Sequence, residues 1–389
     1  MPFHEPPRFP QGFRCASRNV GLKPEAKDLS LFVSDMEANA AAVFTKNQFP
    51  GAPVLLGRET IKAGRLRAIA VNSKVSNVAT GEAGLANARR MAAAAAKEVG
   101  HGCTPDRVLV SSTGVIGVPL PIEKIEAGFT GMRGELQDNP VIGAEGIMTT
   151  DTYPKALSSS VGKATITWIA KGSGMISPNM ATMLAYIFTD ADIASATLDR
   201  MLRDAVNVSF NMLSVDSDTS TSDTCVIMAN GKAGPVDEKA FAAELTAGCI
   251  RMTEMLARDG EGATRLLRAT VRGAANDADA RKVARSLINS PLIKTMVHGA
   301  DPNVGRILMA VGKTDAAMAP EKTMASVNGF PVVRNGARVE FDDATVRAAL
   351  STTVVDLVVE LGVGMASATA YGCDLSKGYI DENAAYYSS

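Results

Sequence analysis

The stretch Lys171-Gly-Ser-Gly-Met-Ile-Ser-Pro-Asn-Met-Ala181-Thr182, running on through Met183 to Asp190, places a hydroxyl where nucleophilic chemistry is feasible. Gly172, Gly174, Pro178 and Asn179 specify turns and bar a regular element. Residues 183–188 are a short apolar run with the pattern of a buried strand. Thr182 therefore stands where a Gly/Pro-shaped turn feeds into the interior. A threonine hydroxyl attacks a carbonyl only with a base within hydrogen-bond reach, and no histidine lies near it in the sequence. A break in the chain before Thr182 would supply one, because a free α-amino group has a pKa near ~8 and suits proton transfer at neutral pH. The same residues also fit an ordinary tight turn entering a core strand.

Other groups could serve such a nucleophile. In Ser111-Ser-Thr113-Gly114-Val-Ile-Gly117 an apolar strand runs into a hydroxyl-rich turn with two glycines. Glycine lets the backbone approach a ligand closely and aim its N–H outward, so the turn could hold a developing oxyanion, or merely connect a strand to a helix. The Lys171 ammonium can pair with an amino-acid carboxylate as a point charge, although a lysine before a glycine turn is often only solvated. Glycines on both sides of Glu261 expose its carboxylate on a loop, where it suits a substrate ammonium or is simply solvated. The hydroxyls of Thr149, Thr150 and Thr152 beside Pro154 fit a self-satisfied loop. Asp216, Asp218 and Asp223 sit among serines and threonines, but their spacing lacks the Gly and terminal Glu of a calcium loop. No metal site is expected there.

Elements must position these groups. Strands are expected at 29–33, 41–45, 53–57, 66–71, 183–188, 265–271, 324–327, 332–339, 354–361 and 366–372. Helices are expected at 86–99, 195–208, 239–256, 277–288 and 343–350, the second from apolar Leu198, Met201, Leu202, Ala205 and Val206 at helical spacing. With 389 residues the chain is long for one core. A net charge of −1 argues against a nucleic-acid-binding surface. No apolar run is long enough for a membrane helix, and the Pro-rich start carries no secretory pattern. Five cysteines without metal spacing suit reduced thiols in a cytoplasmic protein. With only His4, His101 and His298 present, a histidine-based triad has little to draw on.

The 171–184 segment resembles the self-cleavage site of the ornithine acetyltransferase family, the glutamate N-acetyltransferases of arginine biosynthesis, whose pattern runs close to KG-x-GM-I-x-PNMATML. The resemblance continues in Ser112-Thr113-Gly114-Val-Ile-Gly117, in 147–155 (the family's IMTTDT-x-PK), in Asp259-Gly-Glu261-Gly-Ala-Thr264, in 289–306, and in the tail 371–389. Lys74 and Val75 stand where the family has Gly and Asn, Ser222 where it has Asn, and Val304 where it has Trp.

The resemblance implies an α+β fold, a layered αββα-type sandwich of the ornithine acetyltransferase/DmpA kind, with a smaller C-terminal α/β subdomain over about 276–389. It implies self-cleavage between Ala181 and Thr182 into an α chain 1–181 and a β chain 182–389, both needed for one site. Thr182 is then the nucleophile, Thr113 and Gly114 line the oxyanion hole, and Thr149, Lys171, Thr182, Glu261, Asn383 and Ser388 bind substrate. The implied reaction moves acetyl from N-acetylornithine to glutamate, without cofactor or metal, in a cytoplasmic heterotetramer of two α and two β chains. His298 is expected to be structural. Two other readings stay compatible with the residues. One is a paralogous acyltransferase of another pathway, or one with acetyl-CoA as donor, suggested by Lys74, Val75, Ser177 and Val304. The other is an N-terminal-nucleophile hydrolase or aminopeptidase.

Overall fold

The computed structural model describes residues 6–177 and 183–384. The expected cleavage pair Ala181 and Thr182, and the expected ligand Ser388, lie outside the described residues. In chain order the elements are β1 (Phe13–Arg18), β2 (Leu29–Phe44), α1 (Ala52–Thr60), β3 (Arg65–Asn72), α2 (Gly81–Val99), β4 (Val108–Ser112), α3 (Ile122–Phe129) and α4 (Pro140–Ile147). There follow β5 (Lys155–Val161), β6 (Ala164–Lys171), β7 (Leu184–Ala191), α5 (Ser195–Val208), β8 (Leu213–Ser214), β9 (Thr224–Gly234), α6 (Glu238–Arg258), β10 (Leu266–Ala274) and α7 (Asp277–Ile288). The last are α8 (Pro291–Gly299), α9 (Gly305–Gly312), β11 (Met324–Val327), β12 (Phe330–Arg334), β13 (Ala337–Arg338), α10 (Asp343–Leu350), β14 (Val354–Glu360), β15 (Ala366–Cys373) and α11 (Lys377–Ala384).

Two compact units result. The first comprises Met1–Gly172, Pro178–Asn211 and Thr219–Met252; the second comprises Ser173–Ser177, Met212–Asp218 and Thr253–Ser389. The architecture is α+β, as expected, with a mixed sheet and packed helices in each unit.

The first unit's sheet runs β4-β3-β2-β9-β7-β6-β5, with β1 paired to β2. Strand alternation buries both of its faces. On β3, Ala68 and Ala70 face a core shared with Ala88, Met91 and Ala92 of α2 and Ile125 and Phe129 of α3. Leu66, Ile69 and Val71 face the other core, with Phe13, Phe32, Tyr186 and Phe188. A strand buried on both faces reads as a continuous apolar run rather than an alternating one, which is why 66–71 and 183–188 are legible.

The second unit's sheet runs β13-β12-β11-β14-β10-β15-β8. Its helix α7 starts at Asn276, whose side chain accepts the Asp279 N–H, and buries Ala280, Val283, Ala284, Leu287 and Ile288 along one stripe. Each large aliphatic side chain on such a stripe contributes about 1.5–3 kcal/mol.

Three expected elements need correction. Residues 53–57 are helical, within α1, because Pro53 falls in the first turn, where its missing N–H is no loss and its fixed φ suits the helix. The separate strands at 29–33 and 41–45 are one 16-residue strand. Its pairing with β3 slips between Val33 and Ala38, so the polar interruption there is a bulge and not an end. Residues 332–339 are not one strand but fall on the hairpin of β12 and β13. Among the described residues no helix is long and apolar enough to cross a membrane.

Candidate active site

Parallel strands β3 and β4 end side by side, with Asn72 paired to Ser112. Ser112 Oγ donates to Asn72 Oδ1 at 2.6 Å, in a fully buried contact. The chain leaving β4 then locks onto the chain leaving β3. Thr113 N–H donates to Asn72 O at 3.1 Å and Val115 N–H to Lys74 O at 2.9 Å. Between them, Gly114 N–H has no acceptor among the described residues. Gly114 has φ +128°, and a Cβ there would meet the Lys74 carbonyl carbon and oxygen at 2.2 Å. Only glycine fits. Lys74 itself has φ +87°, a conformation glycine adopts far more readily, so the family's glycine at that place has a backbone reason.

Lys171 is the last residue of β6 and is 7% exposed. Antiparallel pairing sets it opposite Leu184 of β7, so residues 172–183 join two neighbouring strands. Its Nζ lies 3.4 Å from Thr113 Oγ1. Beside it, the Asp151 side chain is fully buried. One carboxylate oxygen accepts from Lys155 Nζ and from Gly172 N–H, each at 2.7 Å. The other accepts from Thr149 N–H at 2.9 Å. Burial alone would raise the Asp151 pKa, but the charges of Lys155 and Lys171 and the Gly172 and Lys155 hydrogen bonds outweigh it and hold the pKa down at about 2. An ionised Asp151 thus ties together the Thr149 turn and the start of the glycine segment.

Two further groups belong to this neighbourhood. Lys23 Nζ donates to Met148 O at 2.7 Å and to Lys27 O at 3.0 Å. Burial, opposed by Asp28 and assisted by Lys171, lowers its pKa to about 8. Asp223 is 1% exposed. Burial pushes its carboxyl well above the usual range, against opposing contributions from Ser220, Thr45 and the Met183 N–H. The shift favours the protonated acid over the carboxylate.

In the second unit Glu261 is 8% exposed. Its backbone N–H donates to Ser173 O at 3.1 Å, and Ser173 Oγ donates to Asp259 O at 2.5 Å. A Cβ on Gly174 would meet the Glu261 carboxylate at 2.2 Å, so the glycine of the sequence motif makes the space this side chain fills. Asp216 shapes the same segment by accepting the N–H groups of Met175 at 2.6 Å and Ile176 at 2.8 Å. Gly262, at φ +66°, lets α11 approach so closely that a Cβ would meet Tyr379 N at 2.3 Å. That approach brings Asn383 Nδ2 to 2.8 Å from Glu261 Oε2. His298 Nδ1 pairs with Asp374 Oδ2 at 2.8 Å, and Asp374 also accepts both Thr264 N–H and Arg265 N–H. Among the described residues no group of three or more His, Cys, Asp or Glu is arranged to hold a metal ion.

Sequence reasoning passed over Lys23 and Asp151, and weighed Asp223 only as part of a cation site. Asp151 and Lys155 carry a signal, opposite charges four apart inside a motif. Lys23 carries none, since a lysine in a polar loop reads as solvated.

The ArgJ family model matches residues 14–388. The arginine biosynthesis bifunctional protein ArgJ of Rhodococcoides fascians is 44% identical over 382 residues, 97% of this chain and 94% of that protein. That of Thermus thermophilus is 43% identical over 383 residues, covering 97% and 99%. A crystal structure of arginine biosynthesis bifunctional protein argJ from Bacillus halodurans aligns with a TM-score of 0.51 at 35% identity, over 53% of this chain and all of that one. Such likeness defines an acyltransferase of amino-acid biosynthesis. The chain belongs to the ArgJ family.

Proposed function

We propose that the protein transfers an acetyl group from N-acetylornithine to glutamate through an acetyl ester on Thr182, after cutting itself between Ala181 and Thr182. The observation that carries this reading is the 113–114 turn, where Gly114 N–H is left without an acceptor among the described residues and Lys171 Nζ stands 3.4 Å from Thr113 Oγ1. Donors fixed in this way favour a developing oxyanion over a neutral carbonyl.

In the precursor, Thr182 Oγ attacks the Ala181 carbonyl carbon, the peptide C–N bond breaks, and the nitrogen takes up the hydroxyl proton. Water then hydrolyses the ester, giving an α chain 1–181 with a free carboxylate and a β chain 182–389 with a free amine. In each turnover that amine takes the proton from Oγ as Oγ attacks the acetyl carbon. Thr113 and Gly114 hold the oxyanion, which collapses to expel ornithine, whose amine receives the proton. Glutamate enters, loses an amine proton to the Thr182 amine, and attacks the acetyl ester; Oγ leaves and is reprotonated. Lys171 and Thr149 bind the substrate carboxylate side, Glu261 its ammonium, and Asn383 and Ser388 complete its contacts. Double displacement of this kind gives ping-pong kinetics. The α and β chains assemble as a cytoplasmic heterotetramer of two each, with residues from about 276 forming a C-terminal subdomain.

Denaturing mass spectrometry with acetyl-transfer assays tests the proposal. Wild-type protein should appear as two masses and Thr182→Ala as one uncut, inactive chain. A fully active protein with the Ala181–Thr182 peptide intact would end the scheme. Acetate release unaffected by glutamate would replace the transferase reading with a hydrolase.

A further inference from the structure

One peptide unit at the Thr149 turn has both of its polar atoms gripped by side chains of opposite charge. Its carbonyl, Met148 O, accepts from Lys23 Nζ at 2.7 Å. Its amide, Thr149 N–H, donates to Asp151 Oδ2 at 2.9 Å. A peptide unit is planar, so holding both ends of its dipole fixes the direction in which the chain enters Thr149. Hydrogen bonds with a charged partner are about twice as strong as neutral ones. Asp151 belongs to the same turn, whereas Lys23 lies 125 residues before Met148.

The chain around Lys23 is shaped to deliver it. Asp28 is fully buried and accepts the N–H groups of Val20 and Leu22 at 2.7 Å and of Lys23 at 2.9 Å. Asn19 Nδ2 donates to Lys23 O at 2.9 Å and to Ala26 O at 2.6 Å. The Lys23 backbone is thus held on both sides, and its Nζ also donates to Lys27 O at 3.0 Å. Met148 caps the C-terminal end of α4, where carbonyls lack helical partners and a cation is favoured. A helix end alone does not call for an ammonium, since in the same turn the neutral hydroxyl of Ser73 serves Gly146 O at 3.0 Å. The place is also a costly one for a charge. Burial disfavours the Lys23 ammonium, and Lys171 and Lys74 add to that, against Asp28 and Asp151.

We propose that Lys23 is a positioning residue for the substrate turn: with Asp151 it clamps the Met148–Thr149 peptide unit and so aims the Thr149 side chain. This role rests on the substrate contact of Thr149 in the proposed function. Without the ammonium only the amide half of the unit stays held, and the peptide can rotate about it.

The test is steady-state acetyl transfer by the full-length protein in Lys23→Met, Lys27→Met, Thr149→Val and the double variant Lys23→Met/Thr149→Val, with thermal melts of each. Lys23→Met should raise KM for N-acetylornithine and for glutamate about tenfold, with kcat little changed. Added to Thr149→Val it should raise KM no further, because both changes remove the same contact. Lys27→Met is the control. It breaks the ion pair of the same loop with Glu145 of α4, at 2.6 Å, and should leave KM unchanged. A wild-type KM in Lys23→Met beside a raised one in Thr149→Val, a fully additive loss in the double variant, or an equal rise in Lys27→Met overturns the proposal alone. Absence of transfer by the wild-type protein refutes the proposed function, and an unchanged KM in Thr149→Val refutes its use of Thr149; the role of Lys23 falls with either. Lys23→Gln, shorter and uncharged, decides the matter in the same assays if Lys23→Met does not fold.

Discussion

Replacing Gly114 with alanine tests the oxyanion turn more sharply than removing any side chain. The new Cβ would sit 2.2 Å from the Lys74 carbonyl carbon and oxygen and 2.7 Å from its Cα. These are backbone atoms, and Lys74 O already accepts the Val115 N–H, so the turn has no flexible neighbour to push aside. It must move by about an ångström to reach ordinary contact, and the alanine must also bear φ near +128°, at a strain of about 1–3 kcal/mol. An amide donor displaced that far no longer meets the oxyanion, and loss of one such donor lowers kcat by about 10²–10³. The donor acts in the transition state, so KM should change little. Gly117→Ala supplies the control, because Gly117 also has positive φ (+80°) but no atom within 4 Å of the added Cβ. Steady-state acetyl transfer from N-acetylornithine to glutamate, with denaturant melts and intact masses for both variants, separates the effects. Both should lose some stability, and only Gly114→Ala should lose kcat. A folded, fully cleaved Gly114→Ala enzyme with kcat near wild type would refute the role given to this turn, and equal losses in both variants would reduce the effect to backbone strain.

Other perturbations follow from the same geometry. Asp151→Asn removes the carboxylate that pairs with the buried Lys155 ammonium and should cost about 3–5 kcal/mol in urea unfolding, whereas a loss below ~1 kcal/mol would mean that the pair contributes little to stability. Because the Asp151 pKa is depressed to about 2, its contribution is complete above its unfolded pKa near ~4 and disappears as the pH falls toward 2; acid titration of stability should show this window in the wild type and not in Asp151→Asn. Asp223 has the opposite sign, since its folded pKa is raised. Its stabilising share is full below the unfolded pKa and is lost as pH rises through the folded one, so Asp223→Asn, which cannot ionise, should remove the fall in stability that sets in as pH rises past the unfolded pKa near ~4. Gly174→Ala would press on the Glu261 carboxylate and should raise KM for the ornithine donor about tenfold or more, a change that ligand titration can confirm; an unchanged KM would detach Glu261 from substrate binding.

Much of the fold is written in periodicity. The stripes of α5 and α7 and the apolar runs of β3 and β7 are sharp because burial on a defined face dictates residue type at each position. Residues 53–57 misled because five residues of mixed character carry no period, and only the proline's place in the first turn decides. The hydroxyl-rich β5, Lys-Ala-Leu-Ser-Ser-Ser-Val, lies at the edge of its sheet, so nothing forces its residues to be apolar. At the site, glycines were the legible signal. Gly114, Gly174 and Gly262 each mark a place where another group lies closer than a Cβ would allow. What each glycine admits was not legible, because Lys74, Glu261 and Tyr379 are distant in sequence and only tertiary structure supplies the pairing. Lys23 escaped notice for a related reason. Its acceptors are carbonyl oxygens, which every residue possesses, so its partners leave no mark on the sequence.

The seat of α11 on Gly262 has a genetic consequence. Every strand among the described residues is encoded before the codon for Asp374. A nonsense codon just beyond that point would spare both sheets and nearly all of the hydrophobic interior, yet delete the helix that carries Asn383 to Glu261. On the proposed function, alleles of this kind should yield abundant, well-folded protein without acetyl transfer, and they would be missed by any screen that scores expression alone.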